Sequence, residues 1–316
     1  MAKSGHRSKT GFGVKLRSTR IYTVYLAPIN IRAFFMINFN GELVKKNSHF
    51  LNHENRGLRY GDALFESIRV VNAKIYFLEE HYLRLMSSMR ILRMEIPMDF
   101  TMEFLEEQIL STLKSNHLDQ KPARVRVTVF RNDGGLYAPD SNDISFIIDT
   151  KELSTTFYGF EDTTYEVGLF KDFYLNQDIL STLKTNNKIL NVVGSIFAKE
   201  NDLDNCLLLN TQKNVVESLN GNLFLVKGNV VKTPPLSDGC LNGIIRKKLI
   251  GIFENLGEYE LELTSISPFE LQKADELFIT NAIIGIQPIT KYRKKQFNTG
   301  LSKNLLGKLN TLARLS

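Results

Sequence analysis

VVESLNGNLFLVKGNVVKTPP, residues 215–235, is three short apolar runs separated by Asn-Gly and Gly-Asn pairs. Glycine and asparagine take up the positive φ of tight turns at little cost, so runs this close together fold back on one another as antiparallel strands. CLLLN, residues 206–210, adds another strand before them. After them, SDGCLNGIIRKKLIGIFENLG, residues 237–257, changes period: a Gly-rich turn leads into a helix whose Ile245, Leu249, Ile252 and Phe253 share one face. On the other side, ILSTLKTNNKILNVVGSIFAKE, residues 179–200, reads as an amphipathic helix with Leu190, Val193 and Phe197 at helical spacing and Lys184 at its entrance. DISFIID and YEVGLF are further strands of this second block.

The first block starts at Met36, where INFNGEL gives strand, Asn-Gly turn and strand. GLRYGDALFESIRVVNAKIYF closes in a hairpin, with Val70, Val71, Ile75 and Phe77 flanking an Asn-Ala turn. Two helices follow, one striped by Leu78, Tyr82, Leu85, Met89 and Leu92, the other by Phe104, Leu105, Ile109 and Leu113. RVRVTVF then alternates basic with apolar residues as a strand does, and RNDGGLYAPDSND breaks the pattern with Gly134, Gly135 and Pro139. The expected organisation is a leader over 1–35, a small α/β domain over 36–135, an interdomain loop at 136–141 and a larger domain over 142–316. Strands and helices mixed in two blocks make the fold class α+β or α/β.

The chain has 316 residues, 43% hydrophobic and 23% charged, within the range of globular proteins. No apolar run approaches the ~18 residues that a membrane span needs. The formal net charge of +6 suggests nucleic-acid binding until it is located. Residues 1–35 hold seven of the 40 Lys and Arg and no acid, which leaves 33 basic against 34 acidic residues in the body. That leader reads as disordered or not native, with an RNA-binding arm or a transit segment as alternatives. Cys206 and Cys240 are too few for a disulfide framework, so a reducing, cytoplasmic setting is expected. His49 and His53, the one close histidine pair, have no ligand partners beside them, so no metal site is expected.

Several segments bear chemistry. In LNGIIRKK, Gly243 turns the backbone and the amides of Ile244 and Ile245 open a helix, where the macrodipole and unpaired donors favour an anion such as phosphate. Alone, the segment reads as an ordinary loop-to-helix junction. Arg84 is either a fork for phosphate oxygens or an exposed partner of Glu80 at i, i+4. Glu217 is either a solvated strand-end carboxylate or a fixed charge beside a cation. Together, a lysine, a glutamate, an arginine and helix-opening amides match what pyridoxal phosphate requires.

The order of NRGLRYGDALFESIRV, EEHYLRL, LKTNN, VVESLNGNLFLVKGNVVKTPP, LNGIIRK and ADELFITNAIIGIQPI resembles the class IV aminotransferases, the fold type IV pyridoxal phosphate enzymes. That family includes branched-chain and D-amino acid aminotransferases and aminodeoxychorismate lyases. The resemblance implies a two-domain fold with its site in the interdomain cleft, pyridoxal 5'-phosphate as cofactor, and a homodimer. It implies Lys184 as the lysine bonded to the cofactor, Glu217 at the ring nitrogen, and Arg84, Gly243, Ile244 and Ile245 around the phosphate. Thr280 and Asn281 fall in the loop near the phosphate, and Tyr60, Glu66 and Arg69 in the substrate-facing segment. The implied substrates are an amino acid and a 2-oxo acid, or aminodeoxychorismate. LKTNN lacks the Asn-Tyr pair of many branched-chain enzymes, Ala282 stands where transaminases often carry a hydroxyl, and GGLYAPD lacks an arginine found in some lyases. The broader class, transaminase, is the expected activity; lyase is the alternative.

Overall fold

The computed structural model describes residues 35–316. In chain order its elements are β1 (Met36–Phe39), β2 (Glu42–Lys45), α1 (Arg56–Arg59), β3 (Ala63–Val71), β4 (Lys74–Ile75), α2 (Leu78–Ile91), α3 (Met102–Ser115), β5 (Ala123–Arg131), β6 (Ile144–Glu152), β7 (Glu166–Leu175), α4 (Ile189–Glu200), β8 (Asn205–Asn210), β9 (Val215–Ser218), β10 (Gly221–Lys227), β11 (Val230–Thr233), α5 (Ile244–Glu254), β12 (Glu260–Leu263), β13 (Glu276–Asn281), β14 (Gly285–Ile289), β15 (Lys291–Tyr292), β16 (Lys295–Gln296) and α6 (Gly300–Leu315).

Among the described residues they form two sheets. The first runs β2-β1-β6-β5-β3-β4. Its opening hairpin turns at Asn40 and Gly41, both at positive φ, the conformation that a two-residue turn between twisted strands demands. The apolar stripes of α2 and α3 pack on one face of this sheet: Leu85, Met89, Leu105, Ile109 and Leu113 meet Val125, Val127 and Val129, all fully buried. Each such side chain contributes roughly 1.5–3 kcal/mol relative to exposure. The opposite face is left for something else.

The second sheet runs β12-β11-β10-β9-β8-β7-β15-β16, with β13 paired to β10 and β14. Strands β8 to β11 are antiparallel neighbours, as residues 206–233 predict, whereas β7 lies parallel to β8 and β11 parallel to β12. Helices α5 and α6 cover one face through Ile245, Leu249, Phe253, Leu305 and Leu309. Among the described residues no helix is long and apolar enough to cross a membrane.

Two sequence expectations are corrected. The loop at 136–141 does not separate the sheets: β6 pairs with β5 over its whole length, so RNDGGLYAPDSND joins two strands of the first sheet, and the chain crosses to the second only between Glu152 and Glu166. Lys184 is not at a helix entrance. A single 3-10 turn spans Ile179–Thr182, α4 begins at Ile189, and between them the chain is extended, with Thr185 bridged to Leu64 of β3. The leader lies outside the described residues, except for Phe35, and so does the nucleic-acid reading that rests on it.

Candidate active site

A cavity of ≈ 690 Å³ opens between the free face of the first sheet and the second sheet. Phe65, Ser67, Arg84, Arg124 and Arg126 line it from the first; Lys184, Lys188, Glu217 to Asn222, Leu241, Gly243 to Ile245 and Thr280 to Ile284 line it from the second.

Lys184 is placed by backbone bonds on both flanks. Its carbonyl accepts from Phe65 N at 2.8 Å, and Asn186 N donates to the Ala63 carbonyl at 2.9 Å. The lysine therefore belongs to an extended segment laid along β3, and its Nζ stands 4.2 Å from the Phe65 ring centre. Burial, then the guanidinium of Arg84, brings its pKa down to about 7. An amine brought down this far is unprotonated at neutral pH far more often than an ordinary lysine, and the unprotonated form is the one that attacks a carbonyl.

Glu217, on β9, is buried, and its Oε2 accepts from Leu241 N at 2.9 Å. Burial raises its carboxyl above the ordinary range, so a cation brought against it would be held strongly. The loop it touches, 241–243, is tied from four directions. Asn222 Nδ2 donates to the Leu241 carbonyl at 2.8 Å, Arg84 Nη1 to the Asn242 carbonyl at 2.8 Å, and Asn242 N to the Thr182 carbonyl at 3.2 Å. Gly243 then caps α5 with no side chain over the first amides. A Cβ there would fall 1.9 Å from Asn222 Oδ1, so any other residue would displace the amide that holds the Leu241 carbonyl. Beside it the Thr280 hydroxyl is buried and unpartnered. Helix-opening amides, an orphaned hydroxyl and an arginine in one corner are the donor set of a phosphate.

Arg84 is held from behind. Its Nε donates to Glu66 Oε1 at 2.7 Å and its Nη2 to Glu66 Oε2, which also meets His81 Nδ1 at 2.7 Å. Burial alone would raise the Glu66 carboxyl, but Arg84 and His81 outweigh it and hold it at about 2. The alternative i, i+4 pair with Glu80 does not form; Glu80 bonds Lys248 instead. Asn281 shapes the loop over the cavity, its Oδ1 accepting from Ile283 N and Ile284 N at 3.0 and 2.9 Å.

None of the three residues expected at the substrate lines this cavity. Glu66 is outside the cavity, spent on Arg84 and His81. Arg69 is 2% exposed and gives its guanidinium to the carbonyls of Ile283, Thr155 and Phe157, so it braces the loop. Tyr60 lines a second cavity of ≈ 630 Å³, which shares Lys188, Asn191 and Glu217 with the first, and packs against Tyr137. Arg124, Arg126 and Lys188 were not expected in the site. The alternation of RVRVTVF carried the signal for the two arginines: its valines face the core, so its basic residues face the cavity.

The fold is that of the fold type IV pyridoxal phosphate enzymes. The profile of amino-transferase class IV matches residues 63–292, and the chain belongs to that family. It is thus an enzyme of a family that works with pyridoxal 5'-phosphate. It is 27% identical to the D-alanine aminotransferase of Bacillus licheniformis, across 84% of this chain and 93% of that one. It is 25% identical to the aminodeoxychorismate lyase of Vibrio harveyi, across 81% and 94%. Among solved structures, the T.th. branched-chain amino acid aminotransferase, complexed with N-(5'-phosphopyridoxyl)-L-glutamate, is similar with a TM-score of 0.75 at 25% identity, over 87% of this chain and 92% of that one.

Proposed function

We propose that this enzyme is a transaminase, moving an amino group between an amino acid and a 2-oxo acid, with Lys184 as the amine that bonds to the cofactor. The observation that carries this reading is geometric: Lys184 shares one cavity with Glu217, Arg84 and the opening of α5. The residues fit the cofactor: Arg84, Thr280 and the amides of Ile244 and Ile245 would hold the phosphate, and Glu217 would pair with the ring nitrogen. When bound, pyridoxal phosphate supplies an aldehyde for amines and a ring that accepts the electrons of a broken bond at the substrate α carbon. Lys184 supplies the proton traffic. With a pKa near neutrality, its amine would take the proton from the substrate α carbon and give it up on the cofactor side without a large barrier at either stage. Glu217 keeps the ring end charged, and the braced loop at 241–243 fixes the phosphate end.

A lyase reading is favoured by one feature, the loop Asn281 to Ile284, which has alanine at 282 where a hydroxyl is common in transaminases. A homodimer is supported by apolar side chains left in solvent: Ile189, Val192 and Ile196 on α4 and Phe173 on β7. Purified protein should be yellow, the band should disappear on borohydride reduction, and Lys184→Ala should fail to form it. Incubation with amino acids plus 2-oxoglutarate should yield glutamate. Release of pyruvate and 4-aminobenzoate from aminodeoxychorismate instead would decide for the lyase, and a protein that stays colourless with added cofactor would end both readings.

A further inference from the structure

Two guanidiniums in the cavity have no carboxylate at ion-pair distance, although both feel the charge of Asp149. Arg126 Nη2 bonds Asn186 Oδ1 and its Nε bonds Thr128 Oγ1, both at 3.1 Å, and its plane lies 3.8 Å from the Phe65 ring centre. Arg124 reaches only Ser67 Oγ, at 3.5 Å, and its Nε is buried without a partner. Among the described residues neither makes an ion pair within 4.0 Å, although Asp149 stands across from Arg126 in the β5–β6 ladder. Cations withdrawn from water and left with neutral partners are costly unless an anion arrives. The phosphate corner does not need them, since Arg84, Thr280 and α5 already serve it.

Their order along β5 matters. Phe65 carries both the Lys184 amine and the Arg126 guanidinium on its ring, and the two charges are close enough for Arg126 to help lower the lysine's pKa. Thr185 bridges to Leu64, Arg126 pairs with Ser67, and Arg124 with Arg69, which sets Arg124 one step further out. Two residues along a strand separate their backbones by about 6.6 Å, more than one carboxylate spans. We propose that Arg126 and Arg124 together bind a dicarboxylic substrate, Arg126 taking the carboxylate beside the reacting amino group and Arg124 a second carboxylate at the far end. Arg124 is then the residue that selects acidic over neutral side chains. The inference rests on the functional reading above.

The test uses the full-length enzyme loaded with cofactor, mixed with a single donor so that loss of the yellow band reports the first half of the reaction. Donors are aspartate, glutamate, alanine and leucine in both enantiomers, and aminodeoxychorismate, itself a dicarboxylate. In the preferred enantiomer, the acidic donors should exceed the neutral ones in kcat/KM by about 30-fold, the cost of a lost charge-assisted hydrogen bond. Arg124→Gln should collapse that ratio toward one, mainly through KM, whereas Arg126→Gln should depress acidic and neutral donors alike. If aminodeoxychorismate alone reacts, the transaminase reading fails, and Arg124→Gln should still cost about 30-fold on that donor. A second measurement needs no variant: glutarate should inhibit the wild type at least about tenfold better than butyrate. Equal rates for acidic and neutral donors, a ratio unmoved by Arg124→Gln, or equal inhibition by the two acids overturns the inference. A wild type that binds no cofactor removes the functional reading and the inference with it.

Discussion

At the scale of single residues, the chemistry depends on where one amine is kept. Lys184 sits on a phenylalanine ring, whose face favours an ammonium, but it also lies among cations and out of bulk water, and these two outweigh the ring and disfavour its charge. Glu66 works in the opposite sense, a buried carboxylate kept ionised so that Arg84 has a fixed place. The consequence for Lys184 is measurable. The unprotonated fraction of an ordinary lysine keeps rising to about pH 10.4, whereas at this site it levels off once pH has passed through about 7. The rate at which the apoprotein takes up pyridoxal phosphate, followed by its colour, should therefore rise about tenfold per unit below pH 7 and flatten above it. A rate still climbing steeply between pH 8 and 10 would show that the amine is not depressed.

At the scale of elements, the start of α5 is a joint whose precision comes from a missing atom. Gly243 has φ −74°, open to any residue, so its requirement is one of space: an added Cβ meets Asn222 Oδ1, and that amide also holds the Leu241 carbonyl. Gly251, in the same helix, has nothing within 4 Å. Gly251→Ala should stabilise the protein by roughly 0.5–1 kcal/mol through helix propensity, while Gly243→Ala should cost about 1–3 kcal/mol and weaken cofactor binding. Thermal melts and absorbance titrations of both variants check this; similar behaviour in the two would deny the joint its role.

The same comparison of elements shows what the sequence reveals. The hairpins, α2, α3, α5 and the strands from 205 to 233 are set by local period and turn residues, and they stand where those signals put them. Helix α6 lies outside the sequence expectations, although Leu301, Leu305, Leu309 and Ala313 recur every four residues. The placement of Lys184 was not legible, because the bond that straightens its segment comes from Phe65, far away in the chain. Nor was the fate of Glu66. Strand β3 is buried on both faces, so alternation could not tell which of its residues faced the cavity and which faced Arg84 and His81 on α2.

At the scale of the whole molecule, α4 has one face more than the monomer uses. Leu190, Val193 and Phe197 pack toward Phe170 and Leu208, yet Ile189, Val192 and Ile196 remain 75, 51 and 52% exposed, beside Phe173 at 56%. An amphipathic helix puts polar residues on its solvent side, so apolar residues on both sides imply a second apolar neighbour. The helix begins one residue after Lys188, which lines the cavity, so whatever covers α4 also steadies the segment that carries Lys184. A second copy of the chain is the proposed cover. Val192→Asp buries an unpaired charge in that contact and should raise the dimer dissociation constant by at least about tenfold. In sedimentation at micromolar concentration, the wild type should run at twice the subunit mass and the variant at one. Because the hydrophobic clusters described form within one chain, the variant should stay folded, with a lower melting temperature and weaker hold on the cofactor. A wild-type monomer, or a variant that still sediments as a dimer, would mean that this face of α4 meets something else.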